Sequence, residues 1–393
     1  MTKNMQNSTV SYVYEPEKWD EAAWRKTGAF TVVFLNFEKS KTIHKAVASA
    51  LAQDYPFLEM FFMDDASSDG SGDVMEELVR AYRGRHKVSV VRNRTNVGIT
   101  GQWNSVAKLA KGDWFGMFCA DDESYPNRVS VVSNLIKKYP SLLGVCTGMD
   151  PHDIKSGKAR PDLKEKPRID IAYGNDEPYV ITRKTWPCGA TSFWHRSLFD
   201  TALPYVPFDD LFIKWRLHMK SFRIPQPVWL KDSTVSTVKY YVGEGLWSSI
   251  WASTNVNREI KRVAWERNIE TWRAIMQEAL SLDVPVSFVS VAMEGLLSNN
   301  KRLFFEEDTQ AKEAFTALEK KCIVDFTDDA NVDIEKFCEK LFRAFCYMSV
   351  WLKNEISDNN DRINQLKKEK RRKNRIVIGL LILIIVLLCR FIV

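Results

Sequence analysis

Between Thr31 and Phe118 the chain sets out four short β-branched or aromatic runs separated by stretches of helical periodicity. That rhythm restricts the fold more than any other feature. Thr31-Val-Val-Phe-Leu35, 58–63 (LEMFFM), 88–91 (VSVV) and 113–118 (DWFGMF) read as strands, short and apolar enough to be buried. Between them, 40–53, 72–84 and 101–110 read as helices, with Ser40 as a candidate N-cap. Strand and helix in alternation predict an α/β domain whose mostly parallel sheet is covered by helices on both faces.

Outside that block the texture changes. Residues 1–28 read as a polar extension with aromatic anchors, and 150–180, rich in Pro, Asp and Lys, as an irregular excursion. From about 246 to 352 the chain reads as helical, with many Trp and Phe, and 353–375 as a polar, basic helical stalk. The last 18 residues, 376–393 (IVIGLLILIIVLLCRFIV), carry one charge, Arg390. As a helix they would reach about 27 Å, close to the ~30 Å of a bilayer's hydrocarbon core. A C-terminal transmembrane anchor is the expectation; a helix buried in a partner or lying in the interface is the alternative.

Charge supports the anchor. The formal net charge is +6, and Lys367–Arg375 (KKEKRRKNR), with seven basic residues and one Glu, carries all of it. The remaining chain is neutral overall, which argues against a nucleic-acid partner. Lys and Arg beside a membrane segment favour the cytoplasmic side, and residues 1–20 lack a secretory signal pattern. The expected location is therefore the cytoplasmic (inner) membrane, with the folded body in the cytoplasm. The seven cysteines form no C-x-x-C pair or zinc-ligand spacing, consistent with a reducing compartment.

In an open α/β sheet, ligands bind beyond the carboxyl ends of the strands. Two of the predicted strands run directly into acids: 58–63 into Asp64-Asp65, and 113–118 into Cys119-Ala-Asp-Asp-Glu123. Carboxylates so clustered repel unless a cation or hydrogen-bond donors sit among them. Asp121 and Asp122 suit a divalent cation, Mn²⁺ or Mg²⁺, holding a diphosphate; the plainer alternative is Asp-Asp turn chemistry. Neither G-x-x-x-x-G-K-[ST] nor G-x-G-x-x-G occurs, so P-loop and dinucleotide-dehydrogenase chemistry lack support.

The ordered set of Asn36-Phe-Glu38, Gln53-Asp-Tyr55, Asp64-Asp-x-Ser-x-Asp69, Asn96-x-Gly98, Asn104, Lys111-Gly-Asp113 and Ala120-Asp-Asp122 resembles a family 2 glycosyltransferase of the GT-A fold. The likeness covers about residues 29–130 and continues more weakly at 189–199, 209–216 and 240–245. It implies a GT-A domain over 29–245 that moves a sugar, with inversion, from a nucleotide-diphosphate sugar to an acceptor. UDP is the family's commonest nucleotide. By the same resemblance Phe37 and Glu38 would cup the base, Asp64 and Asp65 would contact base and ribose, and Asn96, Gly98 and Asn104 would lie against the donor. Asp121 and Asp122 match the metal-binding acids, although Cys119 stands where the family commonly has Asp, and a thiol is a poor ligand for Mg²⁺. Asp210 matches the general base and Asp209 its acidic neighbour; a helix N-cap is the rival reading for that pair. Trp186, Trp194 and Arg216 are acceptor-site candidates. With the anchor, these readings imply a membrane-associated, lipid-linked acceptor in surface polysaccharide synthesis. The alternative is a catalytically impaired nucleotide-binding or scaffold protein in which Cys119 marks a lost metal site.

Overall fold

The computed structural model describes residues 8–178, 188–242 and 258–285, with 287–289, 291–292 and 295. The stalk and tail anchor expected at 353–393, and most of the 246–352 region, lie outside them. Among the described residues no helix is long and apolar enough to cross a membrane.

The four expected strands are present as β2 (Phe30–Asn36), β3 (Glu59–Asp64), β4 (Lys87–Asn93) and β5 (Trp114–Cys119), preceded by β1 (Ser8–Tyr14). Between them run α2 (Ile43–Leu51), α3 (Ser71–Ala81) and α4 (Gly98–Leu109), after a short α1 (Glu21–Lys26). Beyond them come β6 (Glu123–Ser124), α5 (Arg128–Lys138), β7 (Gly144–Asp153), β8 (Ile169–Tyr173) and β9 (Ser192–His195). The series closes with α6 (Asp209–Ser221), β10 (Pro227–Val242) and α7 (Arg258–Ser281). A 3-10 turn at Gly189–Thr191 leads into β9.

All except β8 lie along one sheet in the order β1-β4-β3-β2-β5-β9-β7-β10-β6, and β8 pairs with β10. The expectation of a mostly parallel sheet needs correction. β4-β3-β2-β5 form a parallel block and β7 runs parallel to β10, but β1, β6, β8 and β9 all pair antiparallel. The sheet is mixed because strict strand–helix alternation ends with β5. The supposed irregular excursion holds β8, and the polar extension holds β1 and α1.

Alternation within each strand divides the core. Val32 and Phe34 of β2 face α2, α3 and α5, packing with Ile43, Val47, Met75 and Val132. Val33 and Leu35 face the other way, into a cluster with Trp103 of α4, Phe212 of α6 and Ile275 of α7. Burying such side chains contributes about 1.5–3 kcal/mol each, so both faces of the central strands are needed to hold their ends in register.

Candidate active site

Register brings the expected acids to one rim. Asn36 at the end of β2 lies opposite Asp64 of β3, and Leu35 lies opposite Cys119 of β5. The loops after these strands therefore leave from the same edge of the sheet. Asn36 donates through Nδ2 to Asp64 Oδ1 at 2.8 Å and to Ser71 Oγ at 3.0 Å. Glu38 and Ala66 have φ of 52° and 61°, left-handed backbone that non-glycine residues seldom adopt. The Glu38 amide donates to Ser67 Oγ at 3.0 Å, and Ser68 Oγ donates to Glu38 Oε1 at 3.0 Å, so the two loops are latched together. Phe37, at 41% exposure, stands open to solvent beside this latch.

Asp64 and Asp65 are both buried. Asp65 accepts from Asn93 Nδ2 at 2.8 Å and from the amides of Val97 and Gly98 at 2.9 and 2.8 Å. Burial raises its pKa while these donors oppose the rise. Asp65 thus fixes the start of α4. Asn96 Oδ1 accepts from the Gly98 amide at 3.0 Å. Gly98 has φ +70°, and a Cβ there would lie 3.0 Å from the Tyr205 ring, which is 76% exposed. Asn104 is spent on a reciprocal pair with the Leu203 backbone, at 2.9 and 2.7 Å, and so anchors the loop that carries Tyr205.

Cys119, Asp121 and Asp122 place one ligand atom each within 4.8 Å of one another. Lys39, from the loop after β2, reaches Asp121 with Nζ–Oδ2 of 3.0 Å. Asp122 is buried and accepts the Tyr241 amide of β10 at 3.0 Å; burial first, then Asp121, pushes its pKa well up. Beneath it the buried Arg128 guanidinium donates to Met117 O at 2.6 Å and sits 4.1 Å from the centre of the Phe118 ring. Burial lowers its pKa to about 10, so it remains a cation at neutral pH and tempers the charge on Asp122. Burial and the two aspartates push the Cys119 thiol up, so it stays protonated.

Asp209 and Asp210 open α6. They divide the work. Asp209 is buried and accepts Trp103 Nε1–H at 2.9 Å. Asp210, half-buried, accepts the Leu211 amide at 2.8 Å and the Gly189 amide. Burial, with the neighbouring Asp209, pushes Asp210 up to about 7. Cys188 ties the two acidic clusters into one neighbourhood: after burial and Cys146, both Asp210 and Asp122 push its thiol up. A carboxylate of that basicity, donors at a helix N-terminus and an acid pair suited to a cation can together activate a hydroxyl and receive an anionic ligand.

Two expected acceptor residues are corrected. Trp194 is fully buried in β9, its ring stacked on Trp229 at 5.0 Å. Arg216, 2% exposed, points into the α6–α7 interface, where Nη2 donates to Glu278 Oε2 at 2.6 Å and Nη1 to Thr201 O at 3.0 Å. Both are framework. Trp186 lies outside the described residues. Lys39, Trp103, Arg128, Cys188 and Tyr205 went unselected in the sequence. Lys39 carried a usable signal, a cation three residues beyond the end of β2; the others depend on contacts far along the chain.

Residues 31–196 match the model of the family described as Glycosyl transferase family 2. The Bacillus subtilis (strain 168) protein with the name "Putative glycosyltransferase EpsE" is 24% identical over 178 residues, covering 44% of this chain and 59% of EpsE. The Escherichia coli UDP-Glc:alpha-D-GlcNAc-diphosphoundecaprenol beta-1,3-glucosyltransferase WfaP is 25% identical over 100 residues, covering 25% of this chain and 38% of WfaP. Each alignment thus spans less than two thirds of the relative. Among solved structures, S. aureus TarS 1-349 in complex with UDP-GlcNAc is similar at 18% identity and a TM-score of 0.49, covering 69% of this chain and 72% of that one.

Proposed function

We propose that this chain, whose residues 31–196 match the family described as Glycosyl transferase family 2, transfers a sugar, with inversion, from a nucleotide-diphosphate donor to an acceptor hydroxyl. The observation that carries this reading is Asp210: a half-buried carboxylate poised near 7, at a helix N-terminus, sharing the Cys188 neighbourhood with Asp122. Asp210 takes the proton of the acceptor hydroxyl as its oxygen bonds to the anomeric carbon. The bond from that carbon to the diphosphate breaks, and its electron pair leaves with the nucleotide. Attack opposite the leaving group inverts the centre.

The donor lies along the latched loops. Phe37 stacks on the base, UDP being the proposed nucleotide, while Glu38, Asp64, Asp65, Asn96 and Gly98 shape the pocket for base and ribose. Asp121 and Asp122 would hold a divalent cation: their carboxyl oxygens lie within 4.8 Å of each other, and the burial and like charge that push Asp122 up are what a cation there would relieve. The protonated Cys119 thiol leaves the carboxylates as the holding groups. When bound, Mn²⁺ or Mg²⁺ would neutralise charge on the departing diphosphate. Lys39, beside Asp121, places a further positive charge at that edge of the site.

The acceptor is proposed to be lipid-linked and the setting surface polysaccharide synthesis at the cytoplasmic membrane. Support comes from the apolar 376–393 tail with its basic flank and from the diphosphoundecaprenol substrate in the name of WfaP. Hydrolysis of a panel of nucleotide sugars with Mn²⁺ tests the core of the reading. One donor should turn over with wild type and lose at least tenfold in both Asp122→Asn and Asp210→Asn. Equal rates in all three proteins would refute it.

A further inference from the structure

Asp209 is more deeply buried than Asp210, yet its role is not to meet substrate: its Oδ2 is held by the Trp103 indole N–H at 2.9 Å. Trp103 comes from α4, more than a hundred residues earlier, and is itself fully buried. Its ring is stacked on Phe199 at 5.3 Å, so the donor cannot swing away. Burial raises the pKa of Asp209, and the Trp103 indole N–H, then the backbone amides of Asp209 and Asp210, oppose that rise; a neutral Asp209 would no longer raise the affinity of Asp210 for a proton.

We propose that Trp103 is a positioning residue for the transfer reaction: its indole N–H holds Asp209 fixed and ionised, and that charge sets the strength of Asp210 as the base. The inference rests on the proposed role of Asp210. Among the described residues, the charged and titratable groups facing Asp210 are Asp209 and Lys214 on α6 and Cys188 on the loop before the Gly189 turn. Of these, Asp209 bears the negative charge, and Trp103 is the side-chain donor that, ahead of the Asp209 and Asp210 amides, favours its ionised form. Neither α4 nor its tryptophan touches the reacting atoms; the influence passes through one hydrogen bond and one neighbouring charge.

The test replaces Trp103 by Phe and, to keep the ring volume, by 3-benzothienylalanine, which is close to isosteric but has no N–H. Infrared spectra of the full chain across pH follow the two carboxyl bands, assigned by their loss in Asp209→Asn and Asp210→Asn. Removal of the donor should raise the titration of Asp209 and lower that of Asp210, each by about one pH unit. Asp209→Asn should lower Asp210 similarly, with no further shift on adding the Trp103 change. A merely structural tryptophan would leave both bands in place in the benzothienyl protein, and that result overturns the proposal. Hydrolysis of the nucleotide sugar that the panel shows the wild type to turn over separates this from the reading beneath it. Undiminished turnover by Asp210→Asn would defeat the base assignment itself, whereas loss of turnover with unmoved bands would defeat only the role of Trp103.

Discussion

A carboxylate becomes a base near neutral pH when water is withdrawn from it and a second negative charge stands beside it; Asp210 has both. As the proposed base, Asp210 must be ionised for turnover, so kcat/KM should climb through about pH 7 and fall about tenfold for each unit below it. Asp210→Asn should cost 10²–10⁴-fold, within the range for loss of a general base. The same residue sets a stability signature of known sign. Its folded pKa lies above the unfolded value near 4, so the native state binds more protons between about pH 4 and 7 and the wild type loses stability as pH rises through that window. Asp210→Asn removes the effect. Its melting temperature relative to wild type should therefore rise from pH 4 to 7 and level off above; a constant difference would contradict the assignment. Asp210 was reached through the resemblance, because an acid pair before a helical run reads locally as an N-cap as well, and the structure does place the pair at the start of α6. Trp194 and Arg216 were misread. An aromatic or a cation in sequence does not reveal whether Trp229 or Glu278 will cover it.

At the level of elements, the site depends on α6 being held against the sheet. α7 does this through Trp272, edge-on to Trp215 at 5.5 Å, and through Glu278, which pairs with the buried Arg216. Thr271 Oγ1 also accepts the Phe208 amide at 3.3 Å, one residue before Asp209. Breaking one partner of a buried pair strands the other charge, so Glu278→Ala should cost about 3 kcal/mol in urea unfolding. A loss under 1 kcal/mol would mean that α7 is peripheral to the domain. The central strands could be read directly, since unbroken apolar runs between turn residues leave few alternatives. β1 could not. It is an edge strand with Val10 and Val13 exposed, and a register shift between Val10 and Tyr12 interrupts its alternation. β9, four residues antiparallel between β5 and β7, is too short to announce itself and, with β1, β6 and β8, makes the sheet mixed.

On the scale of the molecule, the rim of loops is followed in the chain by a tail that, in the proposed setting, would hold it at a membrane. Truncation after Arg375 should release the protein from the membrane fraction, leave nucleotide-sugar hydrolysis unchanged, and reduce transfer to acceptor in native membranes by at least tenfold. Full transfer by the truncated protein would remove the case for a lipid-linked acceptor. The proposed site makes a narrower demand on this rim, a cation-dependent nucleotide pocket and, separate from it, a base. Calorimetric titration of the full chain with UDP and GDP in Mn²⁺ tests it most directly. At least one nucleotide should bind the wild type and Asp210→Asn with equal affinity, and bind Asp122→Asn at least tenfold more weakly. Failure of both to bind the wild type, or equal binding by Asp122→Asn, would contradict the account.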